Sequence, residues 1–430
     1  MNVVCPLRIL YTLLYIHLLP LIVLRLYWRS LKNPGYRRRV GERFARLPKR
    51  QGSQPLLWVH AVSVGEVIAA TPLVKRLMQQ HPDWQVCITT TTPTGSERVR
   101  AAFDDTVLHY YLPYDLPSLV SMFIRAIRPA ALIIMETELW PNLLATCRFH
   151  RLPVMLANGR MSARSARGYR RVAGLTRPML QQLDLVAAQS AADGERFVQL
   201  GVDPARVLVT GSIKFDVQID EQVQHRALVL KAQLQSAARR CVVFASTHPG
   251  EDEVILPMIR RLQQLYPSLL AVVVPRHPER FAVVSQLAAR LQLPYVLLSS
   301  DALANADTRL VIGDTMGDVL ALYGIADLAF VGGSLVNHGG HNMLEAAAWG
   351  VPIVTGPFVF NFQAISEALQ VEGGLTTVMD RYDLERTLER WLDGSLSLEA
   401  SGQAARAVLA ANQGALDRLL AGLLPLLPQD

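Results

Sequence analysis

The chain has 430 residues, of which half are hydrophobic and 18% are charged. This length exceeds what one hydrophobic core usually serves, and this composition excludes an intrinsically disordered chain. The four cysteines are scattered without a CxxC pair, which indicates neither a disulfide framework nor a metal site. The sequence therefore predicts two globular domains of ordinary size in a reducing compartment.

The net charge of +7 comes from one end of the chain. Residues 1–50 contain 11 Lys+Arg and a single acid, Glu42, whereas the remaining 380 residues contain 32 Lys+Arg and 35 acids. The charge distribution therefore does not indicate a basic face spread over the whole protein, and nucleic acid is not a predicted partner. A basic end of this kind is typical of a segment beside an anionic membrane surface.

An apolar run at residues 6–28 precedes the globular part. Its uncharged portion, 9–24, is 16 residues long, slightly short of the roughly 20 that span a bilayer. Arg8 and Arg25 can reach the two interfaces from its ends, and no small-residue cleavage site follows it. We predict a single membrane anchor at 1–28, with the remaining chain in the cytoplasm by the positive-inside rule. A helix that lies in the interface, favoured by His17 and Pro20, is the alternative.

Short apolar runs alternate with helical patterns from residue 56 to the end of the chain. This alternation predicts an α/β fold, because parallel strands are joined by helices that cover both faces of their sheet. We expect two Rossmann-like doubly wound domains facing a cleft, after a basic linker and before a C-terminal helix. The predicted boundaries are 29–55 for the linker, 56–218 and 219–400 for the domains, and 401–430 for the C-terminal helix.

The predicted strands fall into two series, separated by a polar helical segment at 221–238 that we interpret as the junction. The first series is 56–61, 86–90, 107–112, 130–135, 153–157, 186–189 and 207–210. The second series is 242–246, 269–274, 295–298, 310–312, 328–331 and 351–355.

The segment 328–357 carries the clearest ligand-binding pattern: a strand, a glycine-rich loop, a short helix at 341–349 and another strand. Backbone N–H groups at the start of a helix attract anions, and glycines allow a ligand to approach the backbone closely. Glu345, about one turn into the predicted helix, is placed to accept hydrogen bonds from sugar hydroxyls. An ordinary βα turn is the alternative, but four glycines with His338, His341 and Asn342 favour a ligand site.

Other polar residues follow predicted strands, where open α/β sheets bind their ligands. In the first half they include His60, Ser63, Glu66, Glu136, Glu138 and Arg160, and in the second half Arg276 and the turn 313–318. A carboxylate at a helix start often serves only as a cap, and this alternative competes for Glu66. Arg276 has the planar donor group that grips a phosphate or carboxylate.

Several sequence patterns of other enzyme classes are missing. The chain contains no Asp-X-Asp, HExxH, GxxxxGK[ST] or GxSxG pattern, and no GxGxxG follows its first strand. A metal-bridged diphosphate, a P-loop, a serine hydrolase and a dinucleotide oxidoreductase are therefore not predicted.

Seven runs, most of them at predicted strand ends, match the pattern of one known family. The matching runs are HAVSVGE (60–66), ETELWPN (136–142), NGR (158–160), GSIKFD (211–216), PRHPER (275–280), GDTMGD (313–318) and VGGSLVNHGGHNMLEAAAWGVPIVTGP (331–357). Through these runs the chain resembles the 3-deoxy-D-manno-octulosonic acid (Kdo) transferases of lipopolysaccharide synthesis. Two positions depart from the family pattern, since Ala45 stands where glycine is expected after GERF and Ala346 where proline is expected after HNMLE.

The resemblance implies a GT-B glycosyltransferase at the inner membrane that transfers Kdo from CMP-Kdo to the lipid A precursor, in one or two steps. Neither a metal nor a cofactor is implied. Glu66 matches the catalytic base, and Glu136, Ser63 and Arg160 lie on the acceptor side. The implied CMP-binding positions are Pro275, Arg276, Met316, Gly317, Asp318, Asn342, Met343, Leu344 and Glu345.

Two other classes of function stay open at this point. One is a GT-B glycosyltransferase that acts on a different membrane acceptor, such as a cell-wall lipid intermediate. The other is a membrane-tethered module that binds a nucleotide without catalysis, which would tolerate Glu66→Gln in an activity assay.

Overall fold

A computed structural model describes residues 5–31, 33–300, 305 and 307–427. Parts of four predicted segments lie outside the described residues, namely residues 1–4 of the anchor, Lys32 of the linker, 301–304 and 306 of the second domain, and 428–430 of the C-terminal helix. The chain forms two compact units. Unit 1 comprises Met1–Lys214 and Gln413–Asp430, and unit 2 comprises Phe215–Asn412.

Unit 1 contains a parallel seven-stranded sheet with the order β3-β2-β1-β4-β5-β6-β7. The order reverses between β1 and β4, which is the doubly wound arrangement that the sequence predicts. The central strands are entirely buried because their sequences, such as LLWVH and ALIIM, are apolar nearly throughout. The strands are β1 Leu56–His60, β2 Gln85–Thr90, β3 Leu108–Tyr111, β4 Ala131–Met135, β5 Val154–Gly159, β6 Leu185–Ala188 and β7 Val207–Val209.

Helices cover both faces of this sheet and bury two hydrophobic clusters against it. The helices of unit 1 in this part of the chain are α1 Pro6–Arg29, α2 Val64–Gln80, α3 Pro93–Phe103, α4 Pro117–Ile127, α5 Pro141–Phe149, α6 Ala163–Arg171, α7 Ala173–Leu180 and α8 Ala191–Gln199. Helix α1 is the one helix among the described residues that is long and apolar enough to cross a membrane.

Unit 2 contains a second parallel seven-stranded sheet, with the order β10-β11-β9-β8-β12-β13-β14. Its strands are β8 Cys241–Thr247, β9 Leu270–Pro275, β10 Tyr295–Leu297, β11 Leu310–Ile312, β12 Leu328–Val331, β13 Ile353–Thr355 and β14 Leu375–Thr377. Its helices are α9 Glu221–Gln233, α10 Asp252–Leu265, α11 Phe281–Arg290, α12 Val319–Tyr323, α13 Leu344–Trp349, α14 Gln363–Val371, α15 Arg381–Leu392 and α16 Leu398–Asn412. The prediction of an α/β fold with two doubly wound units is confirmed.

The C-terminal residues differ from the single helix predicted at 401–430. They are divided between α16, which belongs to unit 2, and a further helix α17 at Ala415–Leu423, which belongs to unit 1. Gly414 separates the two helices with φ +84, a left-handed conformation that suits glycine. The apolar face of α17 is buried in the core of unit 1, and this burial explains why the chain returns there.

The described residues of the basic segment 29–55, predicted as a linker, belong to unit 1. The Arg43 side chain is buried, lies over the Tyr111 ring and donates from Nη2 to the Thr91 carbonyl at 2.8 Å. Ala45, the first departure from the family pattern, has φ +55, a conformation that glycine adopts at lower cost.

Candidate active site

Glu66 is the third residue of α2 and closes a hydrogen-bonded cap at the carboxyl end of β1. Ser63 precedes the helix, and its Oγ accepts from the Glu66 N–H at 3.4 Å and donates to Glu66 Oε1 at 2.9 Å. The Val62 N–H donates to Glu66 Oε2 at 2.9 Å. This arrangement resembles a capping box, with the Val62 N–H in place of the Ser63 N–H as the donor to the carboxylate, so the capping alternative of the sequence analysis describes a real part of the geometry.

A capping role alone does not explain the protonation of Glu66, which is only 8% exposed. Burial raises the pKa of Glu66 to about 7, although the hydrogen bonds from Val62 and Ser63 lower it. The negative charges of Glu138 and Glu136 raise the pKa of Glu66 further. A carboxylate that titrates near neutral pH is suited to accept a proton from a substrate, because a general base works best near the operating pH.

Glu136 follows β4 directly and has φ +55, an uncommon conformation for a residue other than glycine. Its N–H donates to the Ala157 carbonyl at 2.9 Å, so the strained residue is held by β5. Lys214 Nζ lies 3.5 Å from Glu136 Oε1. Strain of this kind persists where neighbouring structure enforces it and is often found at functional sites.

Glu138 completes a group of three carboxylates in unit 1. Burial raises its pKa, while the hydrogen bond from Trp140 Nε1 to Glu138 Oε2 at 3.2 Å lowers it. Its charge also raises the pKa of Glu66. The carboxyl ends of β1 and β4 therefore carry a cluster of acids, and Lys214 forms an ion pair with one of them, Glu136.

The remaining acceptor-side residue, Arg160, follows β5 and has an exposed side chain. Its carbonyl accepts a hydrogen bond from Thr137 Oγ1 at 2.8 Å, which holds this loop against the ETELWPN loop. Arg160 and Glu136 therefore lie on loops that are bonded to each other. Sequence reasoning did not assign a role to Lys214, although it lies in the run GSIKFD that carries part of the family resemblance.

In unit 2, the glycine loop after β12 is organised by a buried carboxylate, Glu251. This side chain is 0% exposed and accepts from the N–H groups of His248 and Gly333 at 3.0 and 2.7 Å. It also accepts from the N–H groups of Ser334 and Leu335 at 3.0 and 2.9 Å. The N–H groups at 333–335 are therefore not free for a ligand, because a buried carboxylate must be hydrogen-bonded.

The helix that the sequence places at 341–349 begins later, as α13 at Leu344. The preceding glycines Gly339 and Gly340 have φ +90 and +75, which are not helical. Asn342 Oδ1 accepts from the Leu344 N–H at 3.2 Å, and Asn342 Nδ2 donates to Glu345 Oε1 at 3.1 Å. The Asn342 side chain therefore ties the start of the helix to the Glu345 carboxylate.

Arg276 lies close enough to Glu345 to influence its protonation. Burial raises the pKa of Glu345, whereas the Asn342 hydrogen bond and the charge of Arg276 lower it. The structure thus brings Arg276, Asn342 and Glu345 together, as the resemblance implies. Three other implied positions, Pro275, Met343 and Leu344, are buried.

The turn at 316–318 presents Met316, which is 62% exposed, and Gly317 with φ +96. The Asp318 carboxylate is already hydrogen-bonded to other side chains of unit 2. It accepts from Arg226 Nε and Nη2 at 2.8 and 3.0 Å and from Thr315 Oγ1 at 2.6 Å. The Arg226 hydrogen bonds hold the pKa of Asp318 below its usual value. Asp318 therefore fixes the turn, and its partner Arg226 comes from the segment 221–238 that the sequence analysis interprets as a junction.

Four histidines gather beside this site, and two of them are bonded to each other. His248 Nε2 and His341 Nε2 are 2.8 Å apart, and the His338 and His277 rings lie 4.2 and 5.4 Å from the His248 ring. Burial lowers the pKa of His248 to about 4 and that of His341 to about 3, helped by the charge of Arg276. Within the described part of the chain, no group of three or more His, Cys, Asp or Glu is placed to hold a metal ion.

The chain is similar to known transferases over nearly its whole length. A family profile described as 3-deoxy-D-manno-octulosonic-acid transferase matches residues 38–217. The 3-deoxy-D-manno-octulosonic acid transferase of Haemophilus influenzae is 43% identical over 429 residues, covering 98% of this chain and 99% of that protein. The enzyme of the same name from Bordetella pertussis is 34% identical, covering 96% of this chain and 98% of that protein.

A crystal structure of a UDP-N-acetylglucosamine 2-epimerase from Listeria monocytogenes shares the fold, with a TM-score of 0.57 and 14% identity, covering 86% of this chain and 96% of that one. Two parallel doubly wound units define the GT-B fold class. The chain belongs to the 3-deoxy-D-manno-octulosonic acid transferase family. Kdo transfer in lipopolysaccharide biosynthesis is therefore its activity.

Proposed function

We propose that the protein transfers Kdo from CMP-Kdo to a lipid A precursor of the lipid IVA type, in one or two successive steps. Unit 1 binds the acceptor, and unit 2 binds the donor. The reaction takes place at the cytoplasmic face of the inner membrane and uses no metal ion, in keeping with the missing Asp-X-Asp pattern. The observation that carries the proposal is the buried Glu66, which is held by Ser63 and Val62 at the carboxyl end of β1.

Glu66 acts as the general base. The acceptor hydroxyl oxygen forms a bond to the anomeric carbon of Kdo, and the bond from that carbon to the phosphate oxygen breaks. The electron pair of the broken bond leaves with CMP, and the hydroxyl proton passes to a Glu66 carboxylate oxygen. Ser63 and Val62 hold this carboxylate in a fixed orientation, which keeps its oxygens available in one geometry.

The other groups of unit 1 suit an acceptor that carries phosphates. They also suit a transition state in which positive charge develops on the donor sugar. The carboxylate of Glu136 can stabilise positive charge that develops at the anomeric carbon. Lys214 partly offsets the negative charge of Glu136 and so reduces the electrostatic repulsion among the three glutamates. Arg160 presents an exposed guanidinium, the side chain that binds phosphate with a planar pair of donors.

The group around Arg276 in unit 2 suits the nucleotide of the donor. Arg276 supplies a cation for the phosphate, and the hydrogen-bonded carboxylate of Glu345 accepts from the ribose hydroxyls. The exposed Met316 and the open Gly317 offer a surface for the cytosine ring. Because Met343 and Leu344 are buried, they contribute through their backbone.

The direct test incubates the purified full-length protein with CMP-Kdo and the tetraacylated diglucosamine bisphosphate precursor, and reads the products by mass spectrometry. We expect a product heavier by one or two Kdo units. UDP-sugars and a cell-wall lipid acceptor serve as the comparison. Transfer from a UDP-sugar alone would identify a different GT-B enzyme, and binding of CMP-Kdo without any product would identify a binding module.

A further inference from the structure

Helix α1 is held against unit 1 by side-chain contacts in its first half. Tyr11 Oη donates to Asp115 Oδ2 at 2.9 Å, and Asn142 Nδ2 donates to Thr12 Oγ1 at 3.0 Å. Nearer the N-terminus, Cys5 Sγ donates to the Gly174 carbonyl at 3.3 Å. These contacts lie on one side of the helix and join it to α5, α7 and the loop before α4.

The ends of α1 are packed on the same unit. Gly174 has no room for a side chain, because a Cβ there would lie 2.6 Å from Leu7 Cδ1. At the other end of the helix, Leu26 is buried. Leu7 and Leu26 lie about 30 Å apart along the helix at 1.5 Å per residue. The helix is thus docked in its first half and again at Leu26.

The opposite side of α1 exposes a continuous apolar surface, which we call the outer face. A surface of this size is unusual for a water-soluble protein and marks a contact with a partner or a membrane. The exposed residues of the outer face are Ile9, Leu10, Leu13, Leu14, Ile16, Leu18, Leu21, Leu24, Tyr27 and Trp28.

Charge and aromatic content identify the partner of the outer face as a lipid surface. The chain has no acid before Glu42, and Arg25 and Arg29 are exposed near the end of the helix. Cations there complement anionic head groups, and Tyr27 and Trp28 belong to the residue types enriched at membrane interfaces. A protein partner would not require this combination of an acid-free basic end and an interfacial aromatic pair.

The docked side of α1 is incompatible with a helix that crosses the bilayer. Asp115 is only 1% exposed and lies beside Tyr11, so a spanning α1 that kept this contact would bring an ionisable group and part of unit 1 into the hydrocarbon. Polar groups in hydrocarbon are costly, and loops with free backbone groups do not occur there when exposed to lipid. A spanning α1 would have to give up the contacts with Asp115 and Asn142.

We propose that α1 lies in the interface of one leaflet, docked on unit 1 through Tyr11 and Asp115, and does not cross the bilayer. This replaces the spanning anchor as the proposed membrane attachment. It rests on the proposed membrane location but not on the transfer chemistry. The partner is the surface of a bilayer that contains anionic lipids.

This attachment also connects the membrane-bound helix α1 to the acceptor-side residues of unit 1. Asp115 accepts from the N–H groups of Asn142 and Leu143 at 3.1 and 2.7 Å, so the carboxylate that holds α1 also caps α5. Helix α5 begins directly after the loop that carries Glu136 and Glu138. An acceptor whose acyl chains stay in the leaflet would therefore meet these glutamates from the membrane side.

The first test measures which side of the membrane carries the N-terminus. Cys5 is a native probe, because the other three cysteines are buried. The full-length protein in inside-out and right-side-out inner-membrane vesicles is treated with a membrane-impermeant maleimide, with Cys5→Ser as the control. A protease-cleavable tag ahead of Met1 gives a second reading if Cys5 reacts in neither preparation. We expect reaction or cleavage in inside-out vesicles only; reaction or cleavage in right-side-out vesicles would overturn the proposal.

The second test measures docking in the membrane directly. In a Cys5→Ser background, Leu7→Cys with Gly174→Cys should form a disulfide on mild oxidation, seen as a mobility shift on a non-reducing gel. Ile9→Cys with Gly174→Cys and Leu7→Ala is the matched control, because position 9 is exposed and lies about 200° around the helix from position 7, and Leu7→Ala leaves the same room beside Gly174. A cross-link in the first pair alone supports the docked helix. Equal or absent cross-linking in both pairs, with the N-terminus on the far side, would show a spanning helix even if Kdo transfer is normal.

Discussion

Lys214 Nζ lies 3.5 Å from Glu136 Oε1, and the Glu136 charge in turn raises the pKa of Glu66. The cation therefore moderates a cluster of three acids. Removing it leaves the negative charge beside Glu66 less compensated, and a nearby like charge raises the pKa of a carboxyl group. We expect Lys214→Met to move the pH profile of kcat/KM to higher pH and to lower its plateau, and Lys214→Arg to restore the wild-type midpoint. An unchanged midpoint in Lys214→Met would show that the Lys214–Glu136 ion pair does not influence the pKa of Glu66.

The wild-type pH profile follows from the pKa of about 7 for Glu66. A general base must be deprotonated, so kcat/KM should be low below that pH, rise through about 7 and level off above it. The sign is opposite to that for a general acid in the same position, whose activity would fall as the pH rises through 7. Initial rates with CMP-Kdo and the lipid precursor, measured from pH 5.5 to 9, check this prediction. A flat profile across pH 7 would exclude Glu66 as the titrating group.

We expect two variants of the donor site to bind the nucleotide more weakly. Arg276→Ala should raise the Kd for CMP by about tenfold or more, because hydrogen bonds to a charged group contribute about 1.5–3 kcal/mol. Glu345→Ala should also weaken binding, through lost contacts with the ribose hydroxyls. Arg290→Ala, an exposed arginine at the end of α11, is the matched control and should bind CMP normally. Wild-type affinity in both site variants would move the donor site elsewhere in unit 2.

Glu251 should be important for stability and not for chemistry. Its carboxylate accepts four backbone N–H groups, and glutamine would replace one acceptor oxygen by a donor that faces those groups. We expect Glu251→Gln to lower the free energy of unfolding of unit 2 by about 2–4 kcal/mol. Urea denaturation followed by circular dichroism is the measurement. The exposed Glu279→Gln should change it by less than about 0.5 kcal/mol, and equal stability of the two variants would contradict the structural role.

The parts of the fold that were predictable from sequence are those set by local pattern. The strand at 328–331 is confirmed to the residue, and the strand at 130–135 differs by one position, because both are continuous apolar runs beside turn residues. The edge strand Leu375–Thr377 was missed, since one buried and two half-buried residues give too short a pattern. The run at 153–157 extends to Gly159 because its polar end is buried beside β6.

The parts of the site that were not predictable depend on partners far apart in sequence. Glu251 looks like an ordinary acid at a helix start, yet it bonds Gly333, which is 82 residues away. Arg226 appears to lie in a junction, yet it bonds Asp318, which is 92 residues away. Neither pairing leaves a local signal. The pKa of Glu66 was likewise not predictable from sequence. The capping hydrogen bonds lower it and burial raises it, and the same motif is compatible with either result.

The central claim is that Glu66 is the base, and one comparison tests it most directly. Glu66→Gln keeps the size of the side chain and its cap but cannot accept a proton, so turnover of CMP-Kdo with the lipid precursor should fall by ~10²-fold or more. The Kd for CMP should stay within about twofold of wild type, since the donor residues belong to unit 2 and a twofold change is about 0.4 kcal/mol. Glu97→Gln, at an exposed glutamate of α3, is the matched control and should keep full turnover. Near-normal turnover in Glu66→Gln, with loss of turnover in Glu136→Gln, would contradict the account and assign the base to Glu136.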